Sequence, residues 1–138
     1  MAPDPHELHP LTIIRFTPQD EQGEVRVVME DDLGRELVIP VGACGALAMN
    51  FALRRLRIDR PLTHELLLTL ADSLEARVDH LVIDDLSKGV YYARLVLDTP
   101  TGPVSLDCRP SDGLAVVLRA DAPFYATHAI MEGDSAEA

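Results

Sequence analysis

Three short turns, each between stretches of alternating apolar and polar residues, constrain the fold of this chain most strongly. They lie at residues 31–34 (Asp-Asp-Leu-Gly), 87–89 (Ser-Lys-Gly) and 99–102 (Thr-Pro-Thr-Gly). Turns that contain glycine between two strand-like runs are typical of β-hairpins, because glycine adopts the backbone angles that tight turns require. The chain must therefore form several antiparallel strand pairs.

The pattern of apolar residues extends this prediction to the whole domain. A helix is expected over residues 43–56, apolar on most sides and with Cys44 in the core. Another begins after Thr63 as N-cap and carries Leu67, Leu70 and Leu74 on one stripe, and a third spans residues 110–119. Strands are expected at residues 11–16, 24–30, 35–41, 77–84, 90–97, 104–108 and 124–130. We predict an α+β fold, with a mainly antiparallel β-sheet of about six to seven strands covered by about three helices.

The length of 138 residues predicts a single domain, which we place at residues 8–131. Residues 1–7, rich in proline and charge, and residues 132–138, small and polar, are expected to be disordered tails. The N-terminal residues show neither the basic region nor the apolar segment of a secretory signal, and the longest apolar run is too short to span a membrane. We therefore expect a cytoplasmic protein without membrane contact, and its two cysteines suit a reducing compartment.

The charge balance limits the partners of the chain. With 12 basic and 23 acidic residues, the net charge is −11, whereas proteins that grip nucleic acid through its phosphates present a basic surface. Stable nucleic-acid binding is not expected. An acidic enzyme can still act on phosphodiesters if bound metal ions supply the positive charge.

Residues 107–112, Asp-Cys-Arg-Pro-Ser-Asp, hold more reactive groups than any other part of the sequence. Pro110 suits the first position of a helix, so that Ser111 and Asp112 would lie at the positive end of the helix dipole. A helix start of this kind can hold an anion or present a carboxylate to a cation. The segment is therefore a candidate site.

Three motifs resemble those of the bifunctional nuclease domain family. They are residues 60–66 (Arg-Pro-Leu-Thr-His-Glu-Leu), residues 89–93 (Gly-Val-Tyr-Tyr-Ala) and residues 107–112, the last followed by Arg119 and by residues 123–125 (Pro-Phe-Tyr). Their order and spacing match over about residues 11–131. The resemblance implies a compact α+β domain that forms homo-oligomers and cleaves RNA and DNA, with RNA or single-stranded DNA as a transient substrate.

The motif residues suggest how such a reaction would proceed. His64 is a candidate general base, and Arg109 would stabilise the charge of the transition state. Oxygen ligands from Glu65, Asp107 and Asp112 would hold Mg²⁺ or Mn²⁺. The remaining candidates, which would contact substrate, are Arg60, Tyr91 and Ser111.

Each of these assignments has a structural alternative. Glu65 and Asp112 would equally complement the dipoles of their helices, and Arg109 would pin its turn by pairing with Asp107 or Asp112. Ser111 suits a helix cap better than a nucleophile. Cys108 is either a thiolate nucleophile or, more commonly for a thiol at a strand end, a buried group.

The sequence departs from the family pattern at two glycines. Gly45 stands where an acidic residue is expected at the start of the first helix, and Gly113 stands where alanine follows the third motif. Loss of the acidic residue would remove a metal ligand. Two alternatives to a nuclease therefore stay open: a non-catalytic oligomeric or regulatory module, and a hydrolase of a small phosphorylated molecule.

The remaining histidines receive no role at this stage. His6 and His9 lie close together at an end of the chain that is expected to be mobile, without the spacing of a helical zinc motif. His80 and His128 stand alone on predicted strands, with no ligand partner nearby in the sequence.

Overall fold

The structure is a computed structural model that describes residues 3–56 and 62–133. The elements in these ranges, in chain order, are β1 (Leu8–Phe16), β2 (Val25–Asp31), β3 (Glu36–Val41), α1 (Ala43–Arg54), α2 (Thr63–Ser73), β4 (Arg77–Ser87), β5 (Val90–Thr99), β6 (Gly102–Cys108), α3 (Pro110–Ala120), β7 (Phe124–Thr127) and α4 (His128–Glu132). The predicted α+β class is confirmed, with one added short helix at α4.

The strands form one sheet in the order β3-β2-β1-β7-β4-β5-β6. The hairpins β2–β3, β4–β5 and β5–β6 are all antiparallel, as their turns predicted. Gly34 and Gly89, in the first two of these turns, have φ of 80° and 76°, which other residues rarely adopt. Strand β7 pairs antiparallel with β1 and parallel with β4, and so joins the two halves of the sheet.

Several predicted element boundaries differ from those of the structure, and two of them have a local cause. The last strand ends at Thr127 rather than residue 130, because the Thr127 hydroxyl accepts a hydrogen bond from the Ile130 amide and starts α4. The N-cap of α2 is Leu62 rather than Thr63, and the Glu65 carboxylate accepts the Leu62 N–H instead. In both cases a side chain bonded to a backbone amide decides where the helix begins.

The core lies between the sheet and helices α1 and α3. Its largest fully buried side chains include Met29, Leu81 and Ile83 of the sheet, Met49 of α1 and Leu114 of α3. Burial of such side chains contributes about 2 kcal/mol each to folding. Packing of α1 and α3 against the sheet therefore fixes where the N-terminal ends of these two helices lie.

Cys44 is exposed, so its predicted place in the core was wrong. Helix α1 buries a narrow stripe of Ala48, Met49 and Ala52, while Leu47 and Leu53 remain about half exposed. A run of apolar residues does not by itself determine which side of a helix is buried, and Cys44 lies outside the buried stripe of α1.

Helix α2 buries none of its residues completely. Its predicted stripe is present, but Leu67, Leu70 and Leu74 are each about half exposed or more. They form one wall of an apolar groove of about 600 Å³, whose other wall includes Val104 and Leu106 of the edge strand β6. We call this the leucine groove.

The segment from residue 3 to β1 is joined to α4 by backbone hydrogen bonds. The carbonyl of Glu7 accepts from the His128 amide at 2.7 Å, and that of Pro5 accepts from the Ala129 amide at 3.1 Å. At the other end, Gly133 caps α4, and the rest of the predicted C-terminal tail, residues 134–138, lies outside the described residues. No helix in the described ranges has the length and hydropathy needed to cross a membrane.

Replacement of Gly45 in α1 and of Gly113 in α3 by alanine is expected to change the stability in opposite directions. An added Cβ at Gly45 would meet Ser111 Cβ at 3.4 Å, an ordinary contact, whereas one at Gly113 would approach Leu81 Cδ1 to 2.4 Å and Cys108 Sγ to 3.1 Å. We expect Gly45→Ala to raise the free energy of unfolding by about 0.5 kcal/mol through helix propensity. Gly113→Ala should lower it by about 1 kcal/mol, because overpacking against the fully buried Leu81 outweighs the same gain.

Urea unfolding of the two variants beside the wild type measures both effects. A Gly113→Ala protein as stable as the wild type would show that Leu81 can rotate away without cost.

Candidate active site

The first turns of α2 and α3 meet, which joins two segments that lie far apart in the sequence. His64, in the first turn of α2, places its Nε2 3.2 Å from Oδ1 of Asp112, in the first turn of α3. The other oxygen of Asp112, Oδ2, accepts a hydrogen bond from Nε of Arg109 at 2.8 Å. Three of the five predicted catalytic residues therefore form one cluster, which we call the His64 cluster.

The local sequence explains this geometry. Pro110 occupies the first turn of α3, as predicted, and Arg109 is its N-cap residue. Asp112 thus lies where the helix dipole favours a negative charge. Helix α2 starts in the same way, with Glu65 in its first turn. The first turn of each helix thus carries a carboxylate, and the His64–Asp112 contact joins the two turns.

The charge state of Asp112 follows from its neighbours. Burial raises the pKa of its carboxyl, but the hydrogen bonds from Arg109 and His64 and the charge of Arg109 outweigh burial, so its pKa lies below the ordinary value. Asp112 is therefore a carboxylate near neutral pH. A carboxylate bound to one ring nitrogen of a histidine keeps the proton on that nitrogen and leaves the other nitrogen as an acceptor.

Glu65 lies next to His64 in the chain but belongs to a different contact. Its Oε1 accepts the Leu62 amide at 3.2 Å, and its Oε2 forms an ion pair with Nη2 of Arg119 in the last turn of α3. Arg119 also donates to the carbonyls of Leu56 at 2.9 Å and Phe51 at 3.4 Å, at the C-terminal end of α1. One oxygen of Glu65 therefore caps α2, and the other joins α2 to α3 and, through Arg119, to the end of α1.

Arg109 and Ser111 line a cleft of about 260 Å³ beside the cluster. Tyr91, whose pKa is raised by burial, lines the same cleft, together with residues of β3 and of the β4–β5 turn. Tyr92 is exposed, as the alternation of side chains along β5 requires. Of the predicted substrate contacts, Tyr91 and Ser111 share this cleft, and Arg60 lies outside the described residues.

Asp107 points away from the His64 cluster. It is exposed and lies opposite Arg94 in the β5–β6 pair. Asp84 belongs to the same surface: burial raises its pKa, and the nearby charges of Asp85 and Asp107 raise it further, against the charge of Arg94. Asp107 therefore contributes to an acidic surface on the sheet rather than to the cluster.

The predicted magnesium or manganese ligands are not assembled in the described residues. Neither Glu65, Asp107 nor Asp112 belongs to a group of three ligand atoms within 4.8 Å of one another. The oxygens of Glu65 and Asp112 already accept hydrogen bonds from arginine, histidine and backbone groups. This donor set does not fit a resident divalent ion, so we derive no reaction step through one.

Cys108 is a poor nucleophile. Burial, with the nearby charges of Asp112 and Asp107, raises the pKa of its thiol to about 11. Its sulfur would lie 3.1 Å from a Cβ at position 113, within the core packing of α3. At neutral pH the group is a thiol that packs, in agreement with the structural alternative.

Two histidines that the sequence left without partners meet in space. Nε2 of His9 lies 3.1 Å from Nδ1 of His128. The view of His128 as isolated was therefore wrong, because the pairing of β1 with β7 brings residues 119 positions apart side by side. No local spacing in the sequence could reveal this.

A sheet covered by helices, with a histidine, a carboxylate and an arginine joined at two helix N-termini, defines a compact α+β domain with a polar cluster beside an open cleft. Comparison with known sequences gives its family. The profile of the bifunctional nuclease domain matches residues 27–138, and the chain belongs to that family.

Two relatives give the same relationship at the level of whole sequences. They are uncharacterized proteins of Mycobacterium tuberculosis, from strain CDC 1551 / Oshkosh and strain ATCC 25618 / H37Rv. Each is 31% identical over 113 residues, which cover 82% of this chain and 67% of the relative. The family resemblance seen in the three motifs is thus confirmed.

Proposed function

We propose that this protein hydrolyses phosphodiester bonds of RNA or single-stranded DNA at the His64 cluster. The family supports a nuclease-like domain. The observation that carries the assignment is the contact between His64 and Asp112, with Arg109 on the second carboxylate oxygen. A base, a group that orients it and a cation beside a cleft are the parts that phosphodiester cleavage requires.

His64 acts as the general base in this proposal. Asp112 holds the proton on Nε2, so Nδ1 is left to accept a proton from the attacking hydroxyl or water. Nδ1 makes no hydrogen bond with any residue of the described ranges. The protonated ring can then return the proton to the leaving oxygen, and Asp112 stabilises the imidazolium that exists in between.

Arg109 supplies positive charge to the phosphate. Its side chain is 78% exposed, although one N–H is bound to Asp112. The guanidinium therefore keeps further donors that can reach a phosphate in the cleft. Tyr91 offers a ring for a base, and Ser111 lies at the N-terminus of α3, where backbone amides favour an anion.

The acidic character of the chain fits a transient complex. At a net charge of −11 the surface as a whole repels a polynucleotide, so binding must depend on the few positive groups at the cleft. We therefore propose RNA or single-stranded DNA as a substrate that is bound weakly and released.

The test is cleavage of labelled RNA and labelled single-stranded DNA by the purified protein, with Mg²⁺, with Mn²⁺ and with chelator. We expect cleavage by the wild type and loss of it in Asp112→Ala. Cleavage that persists in chelator supports the metal-free chemistry described above. Cleavage only with Mg²⁺ or Mn²⁺ would mean that the ion arrives with the substrate.

The outcome also separates the competing functions. Activity retained by Asp112→Ala would contradict the site. Turnover of mononucleotides or cyclic nucleotides without polymer cleavage would identify a hydrolase of small phosphorylated molecules. No turnover of any substrate would favour a non-catalytic oligomeric module.

We further propose that the protein forms homo-oligomers through the leucine groove. Its exposed leucines lie beside β6, a strand with one free edge in the described sheet. Exposed apolar patches of this extent mark interaction surfaces in soluble proteins. Light scattering on the protein prepared for the cleavage assay reads out the state of association.

A further inference from the structure

His9 of β1 and His128 of α4 form a largely buried pair where β1 meets β7. His9 is 5% exposed and lies opposite Ala126 in the β1–β7 ladder, and the side chain of His128 is 12% exposed. Their ring centroids are 5.3 Å apart, and Nε2 of His9 faces Nδ1 of His128 at 3.1 Å. The cleavage mechanism proposed above uses neither residue.

A carboxylate lies beside the outer nitrogen of each ring. Asp32 Oδ1 lies 2.9 Å from Nδ1 of His9 in a hydrogen bond, and Glu132 Oε1 lies 3.1 Å from Nε2 of His128 at ion-pair distance. A carboxylate accepts but does not donate, so Nδ1 of His9 carries its proton, and the charge of Glu132 favours the proton of His128 on Nε2. In two neutral rings, the two inner nitrogens that face one another then carry lone pairs only.

Two lone pairs at 3.1 Å repel unless a positive species lies between or beside them. A metal ion satisfies both at once, and the spacing suits one: two nitrogen ligands at zinc distances of about 2.0–2.1 Å in tetrahedral geometry lie about 3.3 Å apart. A carboxylate on the outer nitrogen is also the usual partner of a histidine that binds a metal.

A third ligand is within reach. One oxygen of Glu7 and one ring nitrogen of each histidine lie within 4.8 Å of one another. His9 also approaches Asp31 and Asp32 within that distance. Asp31, however, already binds Nε of Arg35 and the amides of Leu33 and Arg35. The carboxylate of Glu7 is therefore the better candidate for the third ligand.

The surrounding charge favours a cation. Four carboxylates, those of Glu7, Asp31, Asp32 and Glu132, lie around the pair, and the guanidinium of Arg35 binds two of them, Asp31 and Glu132.

We propose that His9, His128 and Glu7 form a binding site for a divalent transition metal of the zinc type, with Asp32 and Glu132 orienting the two rings. Two imidazoles and a carboxylate suit zinc and its neighbours rather than magnesium or calcium. Glu7 and His9 precede the segment that matches the family profile. The site is independent of the proposed nuclease activity.

The test is a titration of the metal-free full chain with Zn²⁺, followed by calorimetry, and with Co²⁺, followed by its visible absorption. We expect one equivalent of metal per chain and a Co²⁺ absorption spectrum typical of a low coordination number. His9→Gln and His128→Gln should each weaken binding by about 100-fold or more, and Asp32→Asn, whose carboxylate only orients the ring, by about 10- to 100-fold.

His80→Gln is the matched control, because His80 also binds a neighbouring carboxylate, Asp79, at 2.6 Å but faces no second histidine. It should bind metal as the wild type does. His9→Gln removes a buried side chain and can impair folding. In that case Glu7→Gln and Asp32→Asn decide the result, because both positions are exposed. Absence of binding by the wild type would mean that the two rings share a proton instead, and equal binding by these variants would mean that the metal binds elsewhere; either result would overturn the proposal.

Discussion

Replacement of His64 by glutamine is expected to lower the rate of phosphodiester cleavage by about two to four orders of magnitude, the usual contribution of a general base. Glutamine can still bond to Asp112, so the contact between α2 and α3 persists while the proton acceptor is lost. Substrate binding should change little, because the proposed site assigns the phosphate to Arg109 and the α3 N-terminus. Single-turnover rates on labelled RNA, with separate binding measurements, distinguish these effects.

Asp112→Asn gives a second and smaller loss, about 100-fold, because it removes the group that positions the imidazole. Burial raises the pKa of Asp112, but its bonds to Arg109 and His64 lower it by more. The residue is thus ionised over the whole range from about pH 5 to about pH 9. The ratio of wild-type to Asp112→Asn rates should therefore be constant from about pH 8 to about pH 9, above the range in which histidine ordinarily titrates.

His80→Gln is the control for both variants, since it removes a histidine bound to a carboxylate elsewhere on the sheet. If His80→Gln and His64→Gln reduce the rate equally, or if His64→Gln retains full activity, the role of His64 as base is refuted.

Replacement of Arg119 by methionine is expected to lower the free energy of unfolding by about 3 kcal/mol. Arg119 joins Glu65 of α2 to two carbonyls at the end of α1, and both side chains of the ion pair are only 21% exposed. Methionine fills a similar volume but leaves the Glu65 carboxylate without its cation and the carbonyls without a donor. The loss should be measurable by urea unfolding with an unchanged slope.

Arg55→Met is the matched control, because Nη2 of Arg55 lies 2.6 Å from Oδ1 of Asp121 but both side chains are about two-thirds exposed. Exposed pairs contribute little, and we expect no measurable change. A double-mutant cycle with Glu65→Gln isolates the pair itself. Equal effects of Arg119→Met and Arg55→Met would show that the contacts of Arg119 contribute no more to the free energy of unfolding than an exposed ion pair does.

The strands and hairpins were predictable because each is encoded locally. The turns at Gly34 and Gly89 require positive φ, and alternation along the flanking segments fixes which residues face the core. The start of α3 was predictable for the same reason, since Pro110 and Asp112 both favour a helix N-terminus.

The parts of the structure that the sequence left undetermined depend on tertiary contacts. Cys44 and the α2 leucines are apolar in pattern, but exposure depends on which neighbours α1 and α2 meet. The convergence of His64 with Asp112 was a hypothesis suggested by resemblance, and only the packing of α2 against α3 brings them together. The pairing of His9 with His128 needed the β1–β7 ladder.

The position of β7 has a consequence for synthesis of the chain on the ribosome. Strands β1 to β3 come from the N-terminal half of the chain, and β4 to β6 come from the C-terminal half. Among the described strands, only the four residues of β7 join these two groups in the sheet. Since domains emerge N-terminus first, at about 5–20 residues per second, two partial sheets with open edges must wait until Phe124–Thr127 leaves the exit tunnel. Nascent chains halted before that point would be the species most in need of a chaperone.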